Sequence, residues 1–319
     1  MRRMRQSEAM RRLVAETRVS VDDLVAPLFV RDDIEDRVPI ESMPGQFQHS
    51  RESLLVEAKH LSSLGLPALI LFGVPSSKDS VGSGAFDPDG VVQRTLGDLK
   101  DALGDKIVLI SDLCLDEYTD HGHCGVLDAD GRVDNDATLE RYQQVAVAQA
   151  RAGADVVAPS GMMDGQVRAV RNALDAAGYR DVAILSYAAK YASALYGPFR
   201  DAVNVEIAGG GSRRSYQQDP RNKREAFEEV SLDIGEGADM VMVKPAMTSL
   251  DVIAAVRDLV NVPLGAYCVS GEYSMLKAAS QRGWIDGPVA EVELITVVKR
   301  AGADFIVTYS AKDLAEVMN

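Results

Sequence analysis

The chain has 319 residues, 46% hydrophobic and 26% charged, so it can bury a large core and lacks the composition of a disordered, fibrous or disulfide-scaffold protein. Its 34 Lys and Arg against 48 Asp and Glu leave a formal net charge of −14, which argues against a general affinity for nucleic acid or anionic membrane; an anionic substrate must be met by local cations. Cys114, Cys124 and Cys268 are too few to staple a secreted fold and suit a reducing compartment, by default the cytoplasm.

The first 18 residues carry Arg2, Arg3, Arg5, Arg11, Arg12 and Arg18 against Glu8 and Glu16. An organelle transit peptide is the superficial reading, but such peptides are rich in serine and poor in acids, and this stretch has one serine and runs into a strand pattern. Residues 1–23 are read instead as a basic N-terminal arm. An arm with nothing of its own to bury against packs on a neighbouring subunit, which points to an oligomer. No apolar run approaches the roughly 18–20 residues of a membrane span.

Beyond the arm, short β-branched runs alternate with helical patterns, as in a parallel sheet with crossover helices. The expected strands are 24–30, 67–73, 106–114, 154–160, 181–187, 238–244, 262–270 and 303–309. The expected helices are 53–64, 91–103, 138–152, 166–177, 223–236, 249–260, 289–301 and 311–318. One joint recurs: Gly-Ala-Asp at 153–155, 237–239 and 302–304 stops a helix and launches a strand. An open doubly wound sheet uses similar units, yet eight alternations in about 290 residues suit a closed barrel better. With no G-x-G-x-x-G after the first strand, residues 24–319 are read as one α/β domain, a (β/α)8 TIM barrel behind the arm.

Barrels of this kind carry their chemistry at the C-terminal ends of the strands. Those ends are polar here: Ser111, Asp112, Cys114 and Asp116; Ser160; Ser186, Tyr187 and Lys190; Lys244; Ser270; Tyr309 and Ser310. Lys244 follows an apolar run at 240–243, and both desolvation and a second nearby cation lower a lysine pKa. A neutral amine is the form that attacks a carbonyl, so Lys190 and Lys244 are expected side by side as uncharged amines competent for Schiff bases. Taken singly each has a plainer reading, Lys190 as a solvated loop lysine and Lys244 as the partner of a carboxylate.

Between the fifth strand and the next helix, residues 190–220 form a long connection of the kind that serves as a lid. Its glycines 209–211 offer a hinge or, alternatively, a phosphate cradle, and Arg200 and Arg213 suit a substrate carboxylate. Within 112–124, Cys114, Asp116, His121, His123 and Cys124 are the ligand types of zinc, though the spacing is not that of a zinc finger. Cys268 reads as a core thiol. Glu225 and Glu229 share one helix side, ordinarily a solvated acidic face and only weakly a Mg²⁺ site.

Six segments together carry a family likeness. Asp-Leu-Cys-Leu-Asp-Glu-Tyr-Thr-Asp-His-Gly-His-Cys-Gly (112–125), Ala-Pro-Ser-Gly-Met-Met-Asp-Gly (158–165), Ser-Tyr-Ala-Ala-Lys-Tyr-Ala-Ser (186–193), Tyr-Gly-Pro-Phe-Arg (196–200), Met-Val-Lys-Pro (242–245) and Val-Ser-Gly-Glu-Tyr (269–273) resemble the 5-aminolevulinate dehydratase, or porphobilinogen synthase, family. The resemblance spans essentially the whole chain. It implies condensation of two 5-aminolevulinate molecules to porphobilinogen with loss of water, an early step toward tetrapyrroles. It further implies that Lys244 and Lys190 form the Schiff bases, Lys244 being the principal one. Arg200, Arg213 and Gln217 would hold the second substrate's carboxylate, with Asp112 and Ser160 near its other end, and Ser270 and Tyr309 would hold the first substrate's carboxylate.

The family's zinc-dependent members show three cysteines where this chain has Cys114, Asp116 and Cys124; the resemblance therefore implies zinc held by the two thiolates plus Asp116 or a histidine. It also implies an activating, allosteric magnesium at Glu229 and a cytoplasmic homo-octamer embraced through the arm. Two other readings stand beside it: a class I aldolase-type lyase, disfavoured by the second lysine and the arginine-bearing lid, and a non-catalytic metal-dependent barrel whose lysines merely pair with acids.

Overall fold

The computed structural model describes residues 1–208 and 211–318. Its strands are β1 (Leu24–Arg31), β2 (Arg37–Pro39), β3 (Phe47–His49), β4 (Ala68–Val74), β5 (Val108–Leu113), β6 (Val156–Pro159), β7 (Ala183–Lys190), β8 (Met240–Lys244), β9 (Leu264–Cys268) and β10 (Phe305–Thr308). The helices are α1 (Glu8–Leu13), α2 (Arg51–Ser63), α3 (Val91–Leu103), α4 (Asn135–Ala152), α5 (Gln166–Ala176), α6 (Gly197–Ala202), α7 (Arg224–Glu236), α8 (Leu250–Leu259), α9 (Ser270–Gln281), α10 (Gly287–Ala301) and α11 (Ala311–Met318). β1 and β4 through β10 run parallel in chain order, and β10 returns to β1 through Leu24–Ile306 and Val25–Val307, closing the (β/α)8 barrel. Among the described residues no helix is long and apolar enough to cross a membrane.

Both faces of these strands are covered, which is why they read as almost unbroken apolar runs. Alternate residues serve two cores. Phe29, Phe72, Ile110, Leu185, Tyr187, Met242, Tyr267 and Tyr309 fill the barrel interior, while Leu28, Leu71, Leu109, Val157, Ile184 and Val243 pack outward against the helices. This parity directs Asp112 and Lys244, two residues beyond Ile110 and Met242, toward the inside. On β7 it would turn Lys190 outward, but the pairing with β8 slips between Ser186 and Ala189. That irregularity re-aims the strand end and sets Lys190 opposite Lys244 in the register.

The recurrent Gly-Ala-Asp joint has a mechanical role. Gly153 and Gly237 close their helices in the left-handed region, at φ 107° and 109°. The aspartates then reach sideways: Asp155 accepts a hydrogen bond from Leu109 N at 3.0 Å, Asp239 from Ile184 N at 2.8 Å and Asp304 from Leu264 N at 2.8 Å. Each carboxylate thus satisfies an N–H at the start of the preceding strand and holds two strands in register. Asp239→Ala is expected to cost about 1–3 kcal/mol by orphaning the Ile184 N–H, read as a lowered thermal midpoint with the barrel's circular-dichroism spectrum retained.

Several expectations are revised. The hairpin β2–β3, whose second strand pairs with β1 at Phe29–Gln48, has strands of three residues, too short for a period-2 pattern. The arm contains α1, capped by Ser7 and exposed throughout. Residues 190–220 are not structureless: α6 lies within them and Tyr191 bridges to Gln218. The strand expected over 262–270 stops at Cys268, and Ser270 opens α9. The hinge glycines Gly209 and Gly210 lie outside the described residues.

Candidate active site

Lys190 and Lys244 are buried at the barrel mouth, 5% and 6% exposed. The Lys244 amine sits in a cage of rings, 4.2 Å from the centroid of Tyr267, 5.1 Å from Tyr187, 5.3 Å from Tyr196 and 5.4 Å from Phe199. Lys190 Nζ is 5.5 Å from the same Tyr187 ring and donates to Ser160 O at 2.5 Å. Neither lysine forms a salt bridge among the described residues. Burial, with Lys190 as a second cation, brings Lys244 down to about 7.

The expected symmetry of two uncharged amines does not hold. Burial also works to lower Lys190, but Cys124, Cys114, Asp116 and Asp112 together outweigh it and leave its pKa above the ordinary value. The two buried amines are thus shifted in opposite directions, Lys244 down and Lys190 up.

Across the mouth, Ser160 Oγ donates to Asp112 Oδ2 at 3.0 Å. Burial raises Asp112 to about 6, opposed by Lys190 and Lys244. Tyr187 Oη lies beside this carboxylate, yet neither it nor Asp112 Oδ1 completes a hydrogen bond, leaving two buried polar atoms for a bound molecule.

Residues of the 190–220 connection reach this mouth, Tyr196 and Phe199 among the rings around the Lys244 amine. Arg200, Arg213 and Gln217 line one cavity of about 240 Å³ together with Tyr196 and Gly211. Arg213 Nε and Gln217 Nε2 are buried donors without partners, the arrangement an anion would complete. Arg213 Nη2 is committed elsewhere, to Asp116 Oδ2 at 2.7 Å and to Gly122 O at 2.9 Å.

Asp116 also belongs to the only group among the described residues with the makings of a metal site: its carboxylate and the Cys114 and Cys124 sulfurs offer ligand atoms within 4.8 Å of one another, all buried. Cys124 Sγ donates to Asp116 Oδ1 at 3.7 Å. The hydrogen bond to Cys114 lowers the Cys124 thiol, whereas burial pushes Cys114 up. Burial would raise Asp116 as well, but Arg213 and Lys190 hold it well below the usual carboxylate range. The histidines are engaged elsewhere, His121 Nε2 toward Ser80 O at 3.3 Å and His123 Nδ1 toward Tyr216 Oη at 3.1 Å, and the group that could hold an ion takes its third ligand atom from Asp116.

Ser270 Oγ accepts from Phe199 N at 2.9 Å and so ties α9 to the lid helix α6. Tyr309 Oη lies 3.0 Å from Tyr267 Oη. Glu229 stands apart, on α7, lining a cavity of about 720 Å³ with Glu225 and Asp164. Cys268 is buried in the strand–helix layer. A larger hollow of about 820 Å³ beside α3 and α4 holds neither lysine.

Sequence reasoning passed over the aromatic cage and Glu117, which is 3% exposed and raised well above the usual carboxylate range by burial and then by Asp116 and Asp112. The cage was detectable only as aromatic residues near strand ends; nothing local marked Glu117 as buried.

Comparison with known proteins follows this geometry. The model of the family described as delta-aminolevulinic acid dehydratase matches residues 1–317. The delta-aminolevulinic acid dehydratase of Mycobacterium tuberculosis is 57% identical over 316 residues, covering 98% of this chain and 95% of that protein. Its counterpart in Streptomyces coelicolor is 53% identical over 319 residues, covering 99% and 96%. A crystal structure of delta-aminolevulinic acid dehydratase (porphobilinogen synthase) from Toxoplasma gondii ME49, in complex with the reaction product porphobilinogen, superposes with a TM-score of 0.97 at 45% identity over 99% of this chain and 90% of that one.

Proposed function

Because this chain belongs to the delta-aminolevulinic acid dehydratase family and condenses two 5-aminolevulinate molecules to porphobilinogen with loss of water, we propose that Lys244 and Lys190 are its two imine-forming residues. The observation that carries this reading is the pairing of two buried lysines across β7 and β8, with both amines within 5.5 Å of one ring centre.

Lys244, lowered to about 7, supplies the free amine at neutral pH. Its nitrogen bonds the ketone carbon and the carbonyl oxygen departs as water, after which the neighbouring carbon is acidic enough to form the new carbon–carbon bond. Ser270 and Tyr309 hold the first substrate's carboxylate, Ser270 redirecting to it the hydroxyl hydrogen that it donates to Leu195 O while still accepting from Phe199 N. The second substrate enters with its carboxylate on Arg200, the open Nε of Arg213 and Gln217, near Lys190. Asp112, at about 6 and bonded to Ser160, takes a proton from that substrate's ammonium. Fixing both molecules in one mouth supplies the effective concentration for their union.

The test is reductive trapping. With 5-aminolevulinate and borohydride, adducts should map to Lys244 and, at higher substrate, to Lys190; a protein that turns over substrate with both lysines unmodified would defeat the assignment.

Two sulfurs and a carboxylate, buried and converging, fit Zn²⁺. Bound there, zinc would act as a Lewis acid on substrate oxygen or nitrogen. A single carboxylate oxygen already engaged beside Arg213 is a weaker donor than a thiolate, so Asp116→Cys is expected to tighten zinc at least about tenfold, as measured by chelator competition. Allosteric activation by magnesium is proposed at Glu229, which lines one cavity with Glu225 and Asp164, oxygen donors of the kind Mg²⁺ takes though not converged as Cys114, Asp116 and Cys124 are. The exposed arm is the proposed contact of a homo-octamer. Three unpaired cysteines and the acidic charge support a cytoplasmic location and action on a small molecule rather than on nucleic acid or membrane.

A further inference from the structure

Glu272 is 2% exposed, forms no salt bridge among the described residues, and takes no part in the chemistry above. A buried carboxylate without a cation is costly unless peptide donors replace water around it. They do so here from two directions. Oε2 accepts from Val269 N at 2.7 Å, the residue before Ser270; Oε1 accepts from Met247 N at 2.8 Å, in the turn that directly follows Lys244. Ala246 and Thr248 also present their N–H groups, and these donors restrain a carboxyl that burial raises to about 7.

The bond to Val269 N is the ordinary capping of α9 by the third residue of a helix. The bond to Met247 N is not required for capping. It ties the start of α9, which carries Ser270, to the end of β8, which carries Lys244. Resting on the reading that Lys244 takes the ketone and Ser270 the carboxylate, we propose that Glu272 is a positioning residue that fixes the separation of these two groups and thereby sets which keto-acid chain length the first site accepts. The carboxylate group is planar and each of its oxygens holds one loop, so it fixes the spacing of the two backbone segments from which Lys244 and Ser270 project. The same clamp extends to the lid, since Ser270 Oγ accepts from Phe199 N.

The test compares two simple keto acids, 4-oxopentanoate and 5-oxohexanoate, which differ by one methylene between ketone and carboxylate. Half-saturating concentrations for borohydride trapping at Lys244 are read by intact mass and peptide mapping. The parent protein should favour the shorter acid by at least about tenfold, the scale on which a pocket distinguishes one methylene. In Glu272→Gln an N–H₂ group faces a peptide N–H and one loop is released; Glu272→Asp is too short to hold both loops. Both variants should still be trapped at Lys244, with the preference reduced to within about threefold.

An unchanged preference in a folded variant overturns the proposal, as does a parent protein that does not discriminate. Loss of fold in both variants assigns Glu272 to stability alone and overturns it equally. Absence of any adduct at Lys244 in the parent protein is a different result, and rejects the imine reading instead.

Discussion

Lys244→Met is expected to remove both the borohydride adduct at that position and turnover, the latter by at least about a thousandfold, since a covalent route loses its nucleophile outright. The substitution is isosteric with most of the lysine stem and places an apolar group among the rings of Tyr187, Tyr196, Phe199 and Tyr267, so the fold should persist or gain stability. Parallel thermal scans separate loss of chemistry from loss of structure. The parent protein carries a matching pH signature. Only the neutral amine attacks, and a pKa of about 7 means that the neutral fraction grows as pH rises through 7 and falls tenfold per unit below it. Trapping with 4-oxopentanoate from about pH 5 to about pH 9 should rise and then level near neutrality. A rate still climbing toward pH 10 would mean that burial does not govern this lysine.

Arg213→Ala should strike both stability and activity. Its guanidinium is 10% exposed at the side chain and its partner Asp116 is 4% exposed, so truncation strands a buried carboxylate. Such losses cost about 3–5 kcal/mol, or a fall on the order of 5–10 °C in the thermal midpoint of a chain this size. The double variant Arg213→Ala with Asp116→Ala should recover most of that midpoint, because no charge is left unpaired, while turnover stays low because the proposed substrate donor and the proposed zinc ligand are both gone. Equal instability of the single and double variants would place the role of Arg213 in packing rather than in the ion pair.

Much of this enzyme was legible along its chain. The alternation of apolar runs with helical patterns identified the barrel, because a strand covered on both faces must be apolar throughout; the Gly-Ala-Asp joints located helix ends because a left-handed residue there favours glycine. Polar residues at strand ends singled out Lys190, Lys244, Asp112 and Ser160, since a purely structural barrel has no use for them in its mouth.

What remained belongs to contacts between distant residues. The slip between β7 and β8 that turns Lys190 inward depends on the pairing of two strands and leaves no periodic trace in either. The opposite shifts of the two lysines follow from what surrounds each one once folded: burial and a second lysine beside Lys244, and two cysteines with two carboxylates around Lys190. Asp116 rather than a histidine lies with the two sulfurs, while His121 and His123 meet Ser80 and Tyr216, both remote in sequence. Local periodicity reports the burial of an element, and so the order of residues determined the barrel and its polar rim; the charge state and aim of each side chain depend on partners brought together from across the chain, and these only the tertiary structure decided.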